Sequence, residues 1–353
     1  MILFYDPACQ QPYDTDSLRQ RATGGTEASV TRIADALGAF VAQHNRTTTA
    51  GRYRPLDRSA HFGHVVLVRD ARPLPLLRQQ FPHARFYLWV HDQLRPGSKR
   101  ARRLRATAPL LRELAVTFIC VSDSQRSSVE ATLRWLKIAD RVRAVTIYNP
   151  VDDALAPSDA AIDDSKLVFF SSPNKGFAYT LDAFRALRRR IPALRLTVGN
   201  PAYKPGRVKS GEGVEYLGAQ PQARIHAEVR TALCTFAPNF VLPETFGLVF
   251  AESKALGTPV LAHECGAAAE VIADPRQVLP VPPACRAYER LVHPLPLRWR
   301  KIPARLADRL GLFDLYVERI LAWRSGERPR VGPDPRFRLA VVARQWRELL
   351  RRP

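Results

Sequence analysis

Short apolar runs alternate with longer amphipathic stretches along the first half of the chain. Five runs are rich in Val, Ile, Phe and Tyr and predict strands: residues 2–6, 64–69, 84–91, 116–122 and 142–150. Four stretches between them have the apolar spacing of helices: residues 26–37, 73–80, 98–114 and 124–136. This alternation predicts an α/β fold with a parallel sheet covered by helices on both faces.

Residues 152–165 interrupt the pattern. They are acidic and rich in Ala, Pro and Ser, which is typical of a linker between domains. The alternation then resumes, with strands predicted at residues 166–172, 194–199, 214–218, 234–238 and 259–263 and helices at about 178–190, 221–232, 247–256 and 266–272. From about residue 280 many prolines weaken the pattern, and the last stretch, around Trp346, is helical again.

Two Rossmann-like, doubly wound domains of similar size follow from this pattern, and a length of 353 residues agrees with two cores. We predict an N-terminal domain at 1–151 and a C-terminal domain at 166–325. Two such domains would face each other across a central cleft. Open parallel sheets bind ligands just beyond the carboxyl ends of their strands, so the loops after the strands are the candidate sites.

The charge is unusual, because 54 Lys and Arg against 33 Asp and Glu give a net charge of +21. Nucleic acid, anionic lipid and a phosphorylated substrate are all compatible with this balance, as is the composition bias of a GC-rich genome. No RNA- or DNA-binding signature is present, so nucleic acid is not an expected partner. The sequence contains no long apolar run, no signal peptide and no metal-binding cysteine spacing, so we expect a protein of the reducing cytoplasm.

Two of the predicted strands in the first half are followed by candidate ligand-binding residues. Gly24 and Gly25 precede the helix that begins at Thr26, and glycines at a helix start let backbone N–H groups approach a phosphate. His91 ends the strand 84–91, where it could contact a ligand, assist proton transfer or serve a structural role. Asp14-Thr15-Asp16 resembles a metal-binding motif, but its place near the N-terminus favours a solvated turn.

The turn after the strand 166–172 carries a second group of polar residues. Ser171, Ser172, Asn174, Lys175 and Gly176 lie between this strand and the next helix. Hydroxyls, a lysine and a glycine suit a diphosphate, with the lysine acting as a point charge. An exposed turn lysine is the alternative.

Two glutamates flank the start of the helix that precedes the strand 259–263. Glu244 lies in a Pro-bounded loop, and Glu252 follows after seven intervening residues. Carboxylates accept hydrogen bonds from vicinal hydroxyls, and eight helical residues span about 12 Å, so each glutamate could hold one end of a nucleotide sugar. Between them Phe246, Gly247 and Leu248 would offer backbone N–H groups to phosphate or sugar oxygens.

With these residues the chain resembles the family 4 glycosyltransferases, which are retaining enzymes of the GT-B fold. Residues 243–272, "PETFGLVFAESKALGTPVLAHECGAAAEVI", are similar to the family's signature of two glutamates, a G-x-P-V strand and a Gly-rich turn. Supporting motifs stand at 24–27, 91–92, 121–126, 147–152 and 172–176. The resemblance implies that the C-terminal helix, 335–353, crosses back to pack on the N-terminal domain.

The resemblance also assigns roles to site residues. Gly24, Gly25 and Lys175 would contact the donor diphosphate, and Glu252 would hold the ribose. Glu244 and His91 would be the catalytic pair, contacting the transferred sugar together with the backbone of residues 246–248. The family usually carries an arginine about five residues before the lysine. That position is Phe170 here, and Ser171 and Ser172 are the nearest polar groups. No bound metal and no cofactor are implied.

The implied function is transfer of a hexose, with retained configuration, from a UDP- or GDP-sugar to a saccharide or lipid-linked acceptor in bacterial polysaccharide or lipopolysaccharide synthesis. The basic stretch 98–114, which also carries Leu104 and Leu111, could lie on an anionic membrane or could be a solvated Arg-rich helix. Two alternatives stay open at this stage: a GT-B-like nucleotide-sugar epimerase, and a non-catalytic protein that binds a nucleotide sugar.

Overall fold

The chain forms two compact units, each built around one parallel sheet. The computed structural model describes residues 1–173, 175–200, 210–292 and 303–351. The first unit comprises residues 1–16, 26–152 and 335–353, and the second comprises residues 17–25 and 153–334. The short segment 17–25 therefore groups with the second unit although it lies near the N-terminus.

Seven strands form the sheet of the first unit. They are β1 (Ile2–Asp6), β2 (Phe40–Gln43), β3 (Tyr53–Arg54), β4 (His64–Val68), β5 (Arg85–Val90), β6 (Thr117–Cys120) and β7 (Ala144–Thr146). Their order in the sheet is β3-β2-β1-β4-β5-β6-β7, and all neighbours are parallel. Every residue of β6 is buried, which explains why this strand is a continuous apolar run rather than an alternating one.

A short helix, α1 (Thr15–Gln20), lies mostly in the segment 17–25, which groups with the second unit. The sheet of the first unit is accompanied by α2 (Gly25–Leu37), α3 (Leu74–Gln80), α4 (Lys99–Leu104), α5 (Ala108–Glu113) and α6 (Asp123–Leu136). The prediction of a single helix at 98–114 is wrong. Helix α4 ends at Leu104, and α5 begins at Ala108 after three intervening residues. Pro109 lies in the first turn of α5, where its missing N–H costs no hydrogen bond.

The second unit contains a six-stranded parallel sheet. Its strands are β8 (Asp163–Phe169), β9 (Arg195–Asn200), β10 (Val214–Ala219), β11 (Ala232–Ala237), β12 (Val260–His263) and β13 (Val278–Leu279), in the order β10-β9-β8-β11-β12-β13. The first three residues of β8 belong to the stretch predicted as a linker. Asp163 pairs with Ala232 and takes part in the sheet, although its side chain is acidic.

The helices of the second unit surround its sheet. They are α7 (Phe177–Arg190), α8 (Gln222–Arg230), α9 (Leu248–Ala255), α10 (Ala268–Ile272), α11 (Pro283–Val292), α12 (Ala304–Arg309) and α13 (Leu312–Ala322). A short π-helical turn at Trp323–Glu327 and a 3₁₀ turn at Pro335–Phe337 lead to the last helix. Helices α11 to α13 lie where the sequence pattern was weak, and α13 nevertheless buries an apolar face that includes Leu312, Tyr316 and Ile320.

The last helix, α14 (Leu339–Arg351), packs on the first unit. The indole of Trp346 lies 5.4 Å from the ring of Phe4 and 4.8 Å from that of Trp89, measured between ring centroids. All three rings are fully buried. The predicted class, two Rossmann-like parallel-sheet units with a C-terminal helix that returns to the first unit, is confirmed.

Candidate functional site

The strands of the second sheet all end on the same side of the sheet, and the loops that follow them line a pocket. Parallel strands place their carboxyl ends on the same side, so the turns after β8, β9, β10 and β11 come together there. The pocket encloses about 730 Å³ of space, part of which is open to solvent. Its lining residues are Ala22, Thr23, Gly25, Phe170, Ser171, Ser172, Lys175, Gly199, Asn200, Gln220, Gln222, Ile225, His226, Glu244, Gly247, Leu248, Val249 and Glu252.

Most of the residues proposed from the sequence as donor-binding line this one pocket. They are Gly25, Ser171, Ser172, Lys175, Glu244, Gly247, Leu248 and Glu252. Gly24 and Phe246 are the chain neighbours of two of them and do not themselves line it, and the Phe246 side chain is buried. Asn174 lies outside the described residues. The functional roles of all these residues stay predictions.

Lys175 and Glu244 form an ion pair at the wall of the pocket. The Lys175 Nζ donates to Glu244 Oε2 at 2.7 Å. The two side chains differ in accessibility, since 51% of Lys175 is exposed against 15% of Glu244. The lysine can therefore change its position at little cost, whereas the carboxylate is held in the loop.

The backbone of Glu244 is fixed by the turn after β12. The Ala267 N–H donates to the Glu244 carbonyl at 3.0 Å, and Gly266 forms an isolated parallel bridge with Glu244. Gly266 has a φ of +62°, and a Cβ on it would collide with the Glu244 carbonyl oxygen. Glycine is required at this position because it allows two loops to approach closely, and this approach sets the place of the Glu244 side chain.

Helix α9 begins at the pocket through Gly247. This residue has a φ of +81°, and any side chain there would collide with the ring of Phe250. The left-handed conformation turns the chain sharply, so that Gly247, Leu248 and Val249 all face the pocket. A helix start combines unbonded N–H groups with the positive end of the helix dipole, which suits an anionic ligand.

Glu252 lies one turn into α9 and is almost completely buried, with 4% of its surface exposed. Its Oε2 lies 3.8 Å from Nε2 of His226, which is also buried and comes from α8. A buried carboxylate is stable only with polar partners, so this histidine helps to hold Glu252 at the pocket. His226 was not predicted as a site residue, because nothing in its local sequence distinguishes it from a core histidine.

Three amide side chains also line the pocket without having been predicted. Asn200 ends β9 and donates to the Tyr216 hydroxyl at 3.2 Å, while Gln220 donates to the Leu217 carbonyl at 2.8 Å. Gln222 begins α8. The strand-end rule could have identified Asn200 and Gln220, since both lie where predicted strands end. Amides offer donors and acceptors together, which suits recognition of hydroxyl or ring-nitrogen groups.

Phe170 lines the pocket at the position where the resembled family carries an arginine. It follows β8 directly and is partly exposed. Its ring contributes an apolar wall and no charge. Ser171 and Ser172 follow it on the lining, so the polar contribution of this turn comes from hydroxyls and from Lys175.

A smaller cavity of about 400 Å³ adjoins the pocket and shares Ser171, Lys175, Glu244 and Val249 with it. His263, at the end of β12, forms part of its wall. The His263 Nε2 lies 2.6 Å from the Tyr316 hydroxyl, and its Nδ1 lies 3.1 Å from the Pro280 carbonyl. Burial lowers the pKa of His263 to about 4, although backbone contacts oppose the shift. The imidazole is therefore neutral at neutral pH.

His91 lies in the first unit, directly after β5. Its ring packs 4.5 Å from that of Trp89. Burial and the nearby positive charge of Arg69 hold the pKa of His91 well below the usual value, so this ring too is neutral at neutral pH. A neutral imidazole can donate and accept hydrogen bonds at once. The proposed contact between His91 and a sugar stays a prediction.

Within the residues that the structure describes, no three His, Cys, Asp or Glu side chains come together as a metal site. Within the same ranges, no helix combines the length and apolar character needed to cross a membrane. Asp14, from the motif that resembled a metal site, pairs with Arg46 at 2.9 Å.

The fold and the pocket together define a two-unit Rossmann-like protein with a pocket at the strand ends of its second unit. Residues 164–292 match the model of the family described as Glycosyl transferases group 1. This stretch contains most of the second sheet and both glutamates, so the family match falls on the second unit and includes the residues of the pocket between 170 and 252. The resemblance drawn from the sequence is confirmed at this level.

Curated relatives are similar over part of the chain. The phosphatidyl-myo-inositol mannosyltransferase of Mycobacterium tuberculosis is 32% identical over 176 residues, which cover 46% of this chain and 44% of that protein. The D-inositol 3-phosphate glycosyltransferase of Segniliparus rotundus is 32% identical over 145 residues, covering 36% of this chain and 31% of that protein. The match thus spans less than half the length of these relatives.

Solved structures are similar over nearly the whole chain. Anabaena Alr3699/HepE in complex with UDP and glucose has a TM-score of 0.61 at 16% identity, covering 99% of both chains. Sucrose-phosphate synthase from Thermosynechococcus elongatus has a TM-score of 0.60 at 16% identity, covering 99% of this chain and 98% of that one. At these identities the likeness shows the fold, which is GT-B.

Proposed function

We propose that this protein is a retaining glycosyltransferase that moves a hexose from a nucleoside diphosphate sugar to a saccharide or lipid-linked acceptor. The observation that carries this proposal is the convergence of Lys175, Glu244, Glu252 and the start of α9 on one pocket. A cation and a helix start suit a diphosphate, and two carboxylates suit hydroxyl-bearing groups on either side of it.

The donor class follows from that chemistry. Lys175 and the first turn of α9 would stabilise the diphosphate as negative charge grows on the leaving group. Glu244 would hold the hexose, Glu252 would hold the ribose, and no bound metal would be needed. UDP- and GDP-sugars are both candidates. The solved relative Alr3699/HepE was crystallised with UDP-glucose, which supports trying the uridine series first.

The proposed acceptor class draws on the names of the relatives. Phosphatidyl-myo-inositol mannosyltransferase acts, by its name, on a lipid that carries a polyol. A lipid-linked or saccharide acceptor in bacterial polysaccharide or lipopolysaccharide synthesis fits this precedent. It also fits a cytoplasmic enzyme that binds the inner membrane face through its basic surface.

The reaction would retain the anomeric configuration through an oxocarbenium-like transition state. In that scheme the acceptor hydroxyl attacks from the face that the diphosphate leaves, and the departing phosphate takes its proton. Glu244 and His91 would contact the sugar and orient it, and neither would form a covalent bond to it.

A donor screen tests the proposal directly. UDP-glucose, UDP, GDP-mannose and GDP would be compared by thermal shift on the wild type and on Glu252→Ala, with turnover followed as released nucleoside diphosphate. We expect one nucleotide series to raise the melting temperature of the wild type and to lose that effect in Glu252→Ala. Stabilisation by none of the four compounds would overturn the proposed donor site. Tight binding without turnover on any acceptor would support a non-catalytic binding protein instead.

A further inference from the structure

The Lys175–Glu244 ion pair has a consequence for any anion that enters the pocket. Both side chains line the same wall, and their charged atoms lie 2.7 Å apart. A diphosphate that takes Lys175 as its partner must therefore approach a carboxylate that already holds the same ammonium group. The diphosphate and the Glu244 carboxylate then compete for one ammonium group, and whichever anion loses it is left without that partner.

The carboxylate cannot easily withdraw from this competition. The Glu244 carbonyl accepts from the Ala267 N–H at 3.0 Å, and the close approach of Gly266 fixes the loop. The Glu244 side chain is only 15% exposed, whereas Lys175 is half exposed. The lysine is thus the mobile partner, and Glu244 stays beside the position that the diphosphate would occupy.

A nucleotide sugar and a nucleoside diphosphate would meet this carboxylate differently. The hydroxyls of a hexose can donate hydrogen bonds to Glu244 and replace the bond that Lys175 gives up. A free nucleoside diphosphate brings no such donors and carries more negative charge on its terminal phosphate. A carboxylate left without a partner near an anion is unfavourable.

We propose that Glu244 makes the pocket selective for the nucleotide sugar over the nucleoside diphosphate, by competing with the diphosphate for Lys175. This inference rests on the proposed function, since it assumes that the pocket binds a nucleotide sugar. Glu244 then has a second role besides holding the hexose: it weakens binding of the product that transfer releases and so favours its departure.

Calorimetric binding of UDP, UDP-glucose, GDP and GDP-mannose to the wild type and to Glu244→Gln tests the proposal. The glutamine keeps the size of the side chain and its ability to accept from a hydroxyl, but it removes the charge. For the nucleotide series that binds, we expect the diphosphate to bind about tenfold more tightly to the variant, a change worth about 1.4 kcal/mol. The sugar-bearing form should gain less, so the selectivity ratio should fall.

A matched control separates this effect from the general loss of one negative charge. Glu130→Gln removes a carboxylate that is also ion-paired, at 3.4 Å from Arg126, on a helix of the first unit. We expect unchanged affinities for all four compounds. A similar gain in the control would assign the effect to net charge and overturn the proposal.

Adding Lys175→Met to the wild type and to Glu244→Gln shows whether the effect of Glu244 on diphosphate affinity depends on the lysine. If it does, the gain from Glu244→Gln should largely disappear in the Lys175→Met background, because no cation remains to be released. A gain that persists in full there, or a diphosphate affinity that is unchanged or lower in Glu244→Gln, would overturn the proposal. Failure of the wild type to bind any of the four compounds would instead overturn the donor site itself.

Discussion

His263 is a buried imidazole whose hydrogen bonds define which ring nitrogen carries the proton in the neutral form. Its Nδ1 faces the Pro280 carbonyl, which can only accept, so Nδ1 carries the proton and Nε2 accepts from Tyr316. Protonation of Nε2 would remove its lone pair, so the hydrogen bond that Nε2 accepts from the Tyr316 hydroxyl would be lost. This arrangement agrees with a pKa lowered to about 4 by burial.

This pKa predicts an acid-dependent loss of stability. The unfolded chain binds a proton at His263 near pH 6.5, whereas the folded chain does so only near pH 4. Between these values the unfolded state holds more protons, so the free energy of unfolding falls as pH falls. At about 1.4 kcal/mol per pH unit, the shift in pKa of this one group corresponds to about 3–4 kcal/mol over its full titration. We expect His263→Gln to flatten the slope of urea-unfolding free energy against pH between 6.5 and 4.

The variant will also lose the bond to Tyr316, so the slope rather than the absolute stability is the measurement. His83→Gln, at an exposed position of the first unit, should leave the slope unchanged. An unchanged slope in His263→Gln would show that this histidine titrates normally in the folded protein.

At the residue scale, sequence alone predicts a side chain well when a local motif places it. Lys175, Glu244 and Glu252 lie in strand–turn–helix motifs, and the structure brings them to one pocket. Lys254, two residues after Glu252, shows the limit. Its buried ammonium donates to the carbonyls of Val271 and Ile272 at the end of α10, at 2.9 and 2.8 Å. These partners lie on another helix, so no local pattern could distinguish this lysine from a surface one.

At the element scale, the start of α9 depends on Gly247. Replacing it with alanine places a Cβ in the left-handed region and against the Phe250 ring. The backbone strain costs about 1–2 kcal/mol, and the clash adds to it. We expect Gly247→Ala to lower the urea-unfolding free energy by more than this amount and to weaken donor binding, because the helix start must shift away from the pocket.

Gly311→Ala is the matched control. Gly311 precedes α13 with a φ of +68°, but no heavy atom lies within 4 Å of its Cβ position. It should show the backbone strain alone and leave donor binding unchanged. Equal losses of stability in both variants would mean that the clash with Phe250 relaxes without cost.

The elements that were missed or misplaced have identifiable physical causes. β3 (Tyr53–Arg54) and β13 (Val278–Leu279) are two-residue edge strands, too short to give a pattern. The acidic start of β8 is strand because it pairs with Ala232, not because of its own propensity. The stretch 98–114 has helical spacing throughout, but Pro109 permits only a new helix start there. Strands buried on both faces, such as β6, were found because burial requires a continuous apolar run.

At the scale of the whole molecule, the charge of +21 is the property that the pocket does not explain. The first unit presents a basic cluster on α4 and just beyond it, comprising Lys99, Arg100, Arg102, Arg103 and Arg105, all exposed. The leucines of this stretch do not face solvent with them. Leu104 and Leu111 are buried in the core of the first unit, and Leu110 and Leu114 pack against it. Insertion of an apolar helix face into a membrane is therefore not available to this stretch.

Any membrane binding by the basic cluster must then be electrostatic, which gives it a distinct signature. Each Lys or Arg near an anionic surface contributes about 1 kcal/mol, and salt screens the attraction beyond about 8 Å at 0.15 M. We expect co-sedimentation with vesicles that contain phosphatidylglycerol, none with phosphatidylcholine alone, and release by 0.5 M NaCl. Replacing Lys99, Arg102 and Arg103 with glutamine should weaken binding about a hundredfold, since about 3 kcal/mol is lost.

A control must remove the same charge elsewhere, because lowering the net charge alone would reduce binding to any anionic surface. Glutamine at Arg189, Arg190 and Arg305, all exposed positions of the second unit, serves this purpose. If the α4 cluster is the binding surface, this variant should co-sediment nearly as well as the wild type. Equal weakening in both triple variants would mean that the charge acts without a preferred face, as expected of a composition bias. Equal binding of the wild type to neutral and anionic vesicles would exclude the electrostatic mode, and the buried leucines leave no apolar face of α4 and α5 to replace it.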